Sequence, residues 1–192
     1  MQTHAVFSCF SHSESWSILS DIERSIKAKI EAVGTPLKDW DIQINYGIKT
    51  GFNDAFIIDS VRRNEILNAC QSEDERQKTA EIIRPILRGR DIKRYCYEWA
   101  ELYIIATFPS RQYDIDNYPT LKEFLLSFGI ERLEQTGKEY IIDGEIVKAR
   151  KKTSNRWFET QDSISYWDEF SKPKIIYPNM TKFLPFAYDT SG

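Results

Sequence analysis

The sequence predicts an α+β fold, a mainly antiparallel sheet with several packed helices in a single domain. Three observations carry this. Capping signals open two helical stretches, alternating apolar residues mark short strands, and an Asp-Gly pair stands between β-forming runs. Helices and strands interleave without the regular spacing of βαβ units, which favours an antiparallel over a parallel sheet.

The first helix is expected over 20–33. Ser20 and Glu23 make a capping box, Leu19, Ile22, Ile26, Ile30 and Val33 recur at helical spacing, and "GTP" at 34–36 stops it. "DIQIN" alternates as a strand, "YGIKTGFND" is a glycine-flanked turn, and "AFIID" is a second short strand. Ser72 and Glu75 cap "SEDERQKTAEIIRPIL", a helix that Pro85 should end. "DIKRYCYEWAELYIIATF" reads as two strands around a turn at 98–101. "YPTLKEFLLSFGIERLEQ" reads as one helix with Pro119 in its first turn and Leu121, Phe124, Leu125 and Phe128 on one face. "KEYIIDGEIVKA" is a hairpin about Asp143-Gly144, and "KPKIIYP" and "FLPFAYD" are strands. Residues 1–15 form an irregular lead-in and residues 16–192 the domain. The closing "FAYDTSG" is turn chemistry without a following element, which predicts a chain cut from something longer. Trp40, Phe52, Phe56 and Trp157 are expected in the core.

The 192 residues, 41% hydrophobic and 14% aromatic, suffice for one full core, with no internal period and no low-complexity tract. Cys9, Cys70 and Cys96 are widely spaced and odd in number, as expected for reduced thiols in the cytoplasm. No apolar run approaches the length of a membrane span, and no membrane partner is expected.

Several enzymatic readings fail on spacing. Lys49-Thr50 lacks the preceding glycine and the following helix of a phosphate-binding loop. Lys49-Thr50-Gly51, Ser171-Lys172-Pro173-Lys174 and Tyr177-Pro178-Asn179 offer the triplets of penicillin-recognising enzymes in the wrong order. His4, Cys9 and His12 lack a spaced fourth metal ligand and are read as a tail. Asp143, Glu145 and Lys148 imitate a nuclease set, but Glu145 and Lys148 fall on opposite faces of an alternating strand.

The charge is unevenly distributed along a chain of net charge −3. "RPILRGRDIKR" carries Arg84, Arg88, Arg90, Lys93 and Arg94 against Asp91 alone. "KARKKTSNR" carries Lys148, Arg150, Lys151, Lys152 and Arg156 with no acid, and "SKPKIIYPNMTK" adds Lys172, Lys174 and Lys182. Interleaved with Tyr95, Trp157 and Tyr177, three such runs predict a cationic surface for a polyanion, because counterion release acts locally.

"PLKDWDIQINYGIKTGFNDAFIID", "IIRPILRGRDIKRY" and "KPKIIYP" followed by "FAYD" occur in this order, and nearly the whole chain from Trp16 resembles one family. It is similar to the target-recognition domain of TaqI-like N6-adenine DNA methyltransferases, above all the type IIG restriction–modification enzymes of the Eco57I kind. The resemblance implies a DNA target-recognition domain over 16–192, with double-stranded DNA and the methyltransferase domain of the same parent chain as partners. The chain has no Asn-Pro-Pro-Tyr motif and no glycine-rich cofactor loop. No catalytic residue, metal or cofactor is therefore expected in it; S-adenosylmethionine, and any magnesium, belong to the parent.

On this reading Lys49, Thr50, Asn53, Arg88, Arg90, Lys93, Arg94, Lys148, Arg150, Lys151, Lys152, Arg156, Lys174, Asn179 and Lys182 are candidate DNA contacts. Arg and Lys suit phosphate and guanine, and Asn suits adenine. Lys49, Thr50 and Asn53 either face DNA or brace their turn, and Arg90 either contacts DNA or pairs with Asp91 or another carboxylate. The 148–156 run is expected to be mobile. A protein-docking scaffold without DNA contact, and a nuclease built on the 143–148 hairpin, are the competing classes.

Overall fold

The structure is a computed structural model that describes residues 19–191; His4, Cys9, His12 and the 1–15 lead-in lie outside them. The fold is α+β, and every strand pair is antiparallel. The chain divides into two units, Met1–Asn45 and Tyr46–Gly192.

In the first unit, helix α1 (Asp21–Val33) forms where the capping signal places it. The Ser20 hydroxyl accepts from the Glu23 N–H, and the Glu23 carboxylate accepts the Ser20 N–H at 2.7 Å. Residues 41–45 form no strand. Alternation alone does not make one, since an isolated extended segment has no ladder to complete. Trp40 is 53% exposed rather than in the core, its indole N–H donating to the Thr35 carbonyl at 3.0 Å.

The second unit holds the main core. "AFIID" divides: Asn53–Phe56 (α2) is one helical turn anchored on the Phe52 carbonyl, and only Ile57–Asp59 (β1) is extended. Asp59 then caps α3 (Ser60–Ala69) by accepting the Arg62 N–H at 2.8 Å. The Ser72 hydroxyl caps α4 (Glu73–Ile82), which gives way to β2 (Ile83–Pro85) before Pro85 is reached. Pro85 is tolerated because β2 is an edge of the sheet β1-β5-β2.

Where two strands were expected over 91–108 there are three. β3 (Ile92–Lys93) and β4 (Cys96–Tyr97) form a tight hairpin about Arg94-Tyr95, with Tyr95 at φ 69°, and β5 (Leu102–Ile105) completes the main sheet. The long helix expected from 118 is α5 (Pro119–Leu126) and α6 (Ile130–Leu133), interrupted at Gly129, whose φ of +88° breaks the helical path.

The Asp-Gly hairpin forms as expected. Asp143 (φ 50°) and Gly144 (φ 84°) turn β6 (Glu139–Ile142) into β7 (Glu145–Lys148), both central residues having the positive φ of a type I′ turn. β8 (Lys174–Ile176) pairs with β9 (Ala187–Asp189).

Two apolar clusters result. The larger packs Phe56, Ile82, Ile83, Ile105, Leu121, Leu125, Leu133 and Phe158, with Phe52 and Trp157 partly buried against it. The smaller centres on Ile104, Ala106, Phe108 and Ile164, and Ile48, Ile86 and Phe170 pack onto it.

Candidate nucleic-acid interface

The 148–156 run is tied to the 49–53 turn by one buried guanidinium. Arg150 is 4% exposed, and all five of its N–H groups donate to main-chain carbonyls. Nε and Nη2 reach Leu133 at 2.8 and 2.6 Å, and Nη1 reaches Thr50 at 2.9 Å and Glu159 at 2.7 Å. Nη2 also reaches Trp157, and the guanidinium carbon stands 4.9 Å from the centre of the Phe56 ring. Burial pulls this group down to about 10, against the pull of Glu159, so it is cationic at neutral pH. A charge sealed from solvent by its own chain cannot touch a phosphate. Arg150 is therefore a tie between the 49–53 turn, the end of α6 and the 156–160 loop, not a DNA contact.

The same tie fixes the Lys49-Thr50-Gly51 turn. Thr50 is 2% exposed; its hydroxyl donates to Asn53 Oδ1 at 2.7 Å and accepts the Phe52 N–H at 3.2 Å. The Lys49 N–H donates to the Asp162 carboxylate, and the Asp162 N–H returns to the Lys49 carbonyl at 3.1 Å. Gly51 has φ +77°, and a Cβ there would lie 3.0 Å from Gln161 Oε1 and 3.1 Å from Arg150 Cδ. Thr50 is thus corrected from candidate contact to brace, and Asn53 lends its oxygen to the same bracing. Lys49 is exposed beside an open depression of about 570 Å³ lined by Ile48, Thr50, Asn53 and Gln161.

The 148–156 run, expected to be mobile, is fastened by side chains. The buried Gln135 donates to the Arg156 and Glu159 carbonyls at 3.2 and 3.0 Å and accepts from Thr153 at 2.8 Å. Asn155 donates to the Thr160 and Gln161 carbonyls. Arg156 grips the buried Glu159 through Nε at 2.9 Å and Nη2 at 2.7 Å. Lys148 pairs across the hairpin with Glu139 at 2.9 Å. From this frame Lys151 and Lys152 extend into solvent.

In the Arg88-Gly89-Arg90-Asp91 turn, Arg88 rather than Arg90 pairs with the buried Asp91, through Nε at 3.0 Å and Nη2 at 2.8 Å. The Arg88 guanidinium holds the Asp91 carboxyl below its usual range. Gly89 lies against Pro178, where a Cβ would come within 3.1 Å of the proline ring. Arg90 is left exposed. Lys93 bonds the Arg90 carbonyl at 2.9 Å and faces Glu98 at 3.8 Å.

The neighbouring β8–β9 hairpin is held by Lys174, which donates to Asp189 at 2.6 Å and to the Phe170 carbonyl. Burial pushes the Asp189 carboxyl up, but the bonds from Lys174 and Ser191 outweigh it and bring it down to about 2. Lys174 is therefore engaged in the fold.

Of the fifteen expected contacts, Lys49, Arg90, Arg94, Lys151, Lys152 and Lys182 are exposed and make no ion pair among the described residues. Asn179 is also exposed. Ile48, Ile86 and Phe170, which lie next to the 49–53 turn, just before the 88–91 turn and before the C-terminal hairpin, pack on one apolar cluster; Lys174 links the hairpin to the Phe170 carbonyl, and Arg150 joins the basic run to the 49–53 turn. Among the described residues, no three His, Cys, Asp or Glu side chains gather as a metal site. No family model matches the chain, and no curated protein matches it.

Proposed function

We propose that this chain is the sequence-specific DNA recognition domain of a type IIG restriction–modification enzyme or related adenine-specific DNA methyltransferase. It positions duplex DNA for a methyltransferase domain that binds S-adenosylmethionine. The observation that carries the reading is the set of six exposed cations that make no ion pair among the described residues, with the turn bearing Lys49 anchored on one apolar cluster and tied through Arg150 to the run bearing Lys151 and Lys152. The ordered Gly-x-Lys-Thr-Gly-x-Asn and Arg-Gly-Arg-Asp motifs agree with it. Rigidly mounted cations can fix the register of a duplex, and an extended side chain on a stiff turn can read a base edge. Lys49 meets the second requirement, Lys151 and Lys152 the first.

Fluorescence anisotropy with duplex DNA between 50 and 200 mM salt tests the proposal. Binding should weaken steeply with salt, and Lys151→Gln with Lys152→Gln should lower the log–log slope by about two contacts at roughly 0.9 ion each. Binding that ignores salt would remove DNA as the partner and leave a protein-docking role.

A further inference from the structure

The exposed apolar side chains of the C-terminal hairpin have a second use on the DNA-binding reading. Residues of β8, β9 and the loop between them leave Ile175, Tyr188, Met180 and Phe183 at 62, 66, 92 and 76% exposure. Ile175 and Tyr188 are cross-strand partners, so they share one face, and two positions along the Tyr177 and Phe186 rings lie 5.7 Å apart at a tilt of 48°. The β3–β4 turn is pinned beside them, since the Tyr95 N–H donates to the Phe186 carbonyl at 2.8 Å. Tyr95, at φ 69°, is itself 75% exposed.

The charge around this patch points to its occupant. Lys182 Nζ stands 5.4 Å from the Phe183 ring, and the Arg94 guanidinium 5.2 Å from the Tyr95 ring. The two most exposed aromatic rings of the patch thus each carry a cation. From Ser171 to Tyr188, and again from Ile92 to Tyr97, the sequence holds no acid. A surface for another protein is depleted in lysine and in charge at its centre, whereas aromatic faces interleaved with Arg and Lys suit bases flanked by phosphates.

We infer that the β3–β4 turn and the β8–β9 loop form a stacking platform for nucleobases freed from the helical stack, with Phe183 and Tyr95 as its rings and Lys182 and Arg94 on the adjoining phosphates. The platform holds DNA locally opened, the state from which a base can be extruded for chemistry elsewhere. Every base has a π face, so this preference is independent of sequence.

The inference rests on the DNA-binding reading, and two DNA probes separate their failures. Anisotropy is measured on a fully paired 30-mer and on the same duplex with a three-base mismatch bubble. The bubble should bind about tenfold more tightly, the scale of one good base–aromatic stack. Phe183→Ser or Tyr95→Ser should remove that preference while leaving paired-duplex affinity and its salt slope unchanged. Both side chains are largely solvent-exposed, and an unchanged melting temperature verifies that the variants are folded. Equal affinity of the wild-type chain for both probes overturns the platform and leaves duplex recognition standing. Failure to bind either probe overturns both.

Discussion

At the residue scale, neighbouring positions in one basic run have opposite meanings. Arg150 spends its charge on four carbonyls, while Lys151, next in sequence, spends its charge on solvent. Arg150→Ala would take the guanidinium from the Leu133, Thr50 and Trp157 carbonyls, while Gln135 still serves that of Glu159, and each buried acceptor left unpaired costs about 1–3 kcal/mol. The expected outcome is loss of cooperative unfolding, or a destabilisation of at least about 3 kcal/mol in urea titration, with DNA binding lost alongside. Lys151→Gln should leave the urea midpoint unmoved and change only salt-dependent affinity. Gly51→Ala tests the same tie from the other side. A left-handed backbone and a Cβ meeting Gln161 and Arg150 at 3.0–3.1 Å should together cost about 1–3 kcal/mol. Nothing in "KARKK" marks its third residue as buried. The acceptors come from positions 50, 133, 157 and 159, so the signal for Arg150 is tertiary and absent from any local window.

At the element scale, acid provides a probe of the C-terminal hairpin. Asp189 is brought down to about 2 in the folded chain from an ordinary 3.8. A carboxyl with a depressed folded value contributes stability above its unfolded value, and loses that contribution as pH falls through the window from about 4 to about 2. The expected loss is about 2 kcal/mol, read as a falling urea midpoint between pH 5 and pH 2. Asp189→Asn should start lower and lie flatter across that window. A wild-type profile as flat as the variant's would show that the Lys174–Asp189 pair does not couple to folding. Elements with local chemistry were legible in the sequence: the caps at Ser20 and Ser72 and the turn at Asp143-Gly144 all stand where their side chains place them. Helix α3 was not legible. Its ten residues hold few apolar positions, and its cap, Asp59, closes the apolar run "AFIID", which reads as a strand. The split between α5 and α6 was missed because Gly129 can continue a helix or leave it by the left-handed region, and packing makes the choice.

At the scale of the whole molecule, the sequence lacks both the Asn-Pro-Pro-Tyr motif and a glycine-rich cofactor loop. Titration calorimetry with S-adenosylmethionine should therefore give a flat trace, and micromolar binding would overturn the assignment of methyl transfer to another domain. The candidate site was half legible. Three cationic runs stand out in one dimension, but which of their members are left without an ion pair depends on Asp91, Glu139, Glu159 and Asp189, partners that no composition count reveals. The packing of Ile48, Ile86 and Phe170, next to the 49–53 turn, the 88–91 turn and the C-terminal hairpin, on Ile104, Ala106, Phe108 and Ile164 makes that small cluster a ruler. Phosphates recur along each strand of a duplex at about 3.4 Å of axial rise, and on the proposed DNA-binding reading side-chain packing, not loop length, would set the intervals at which cations meet them. Phe108→Ala would deform the ruler without removing a charge. The number of ions released on binding should then stay the same, while discrimination between cognate and altered sites declines.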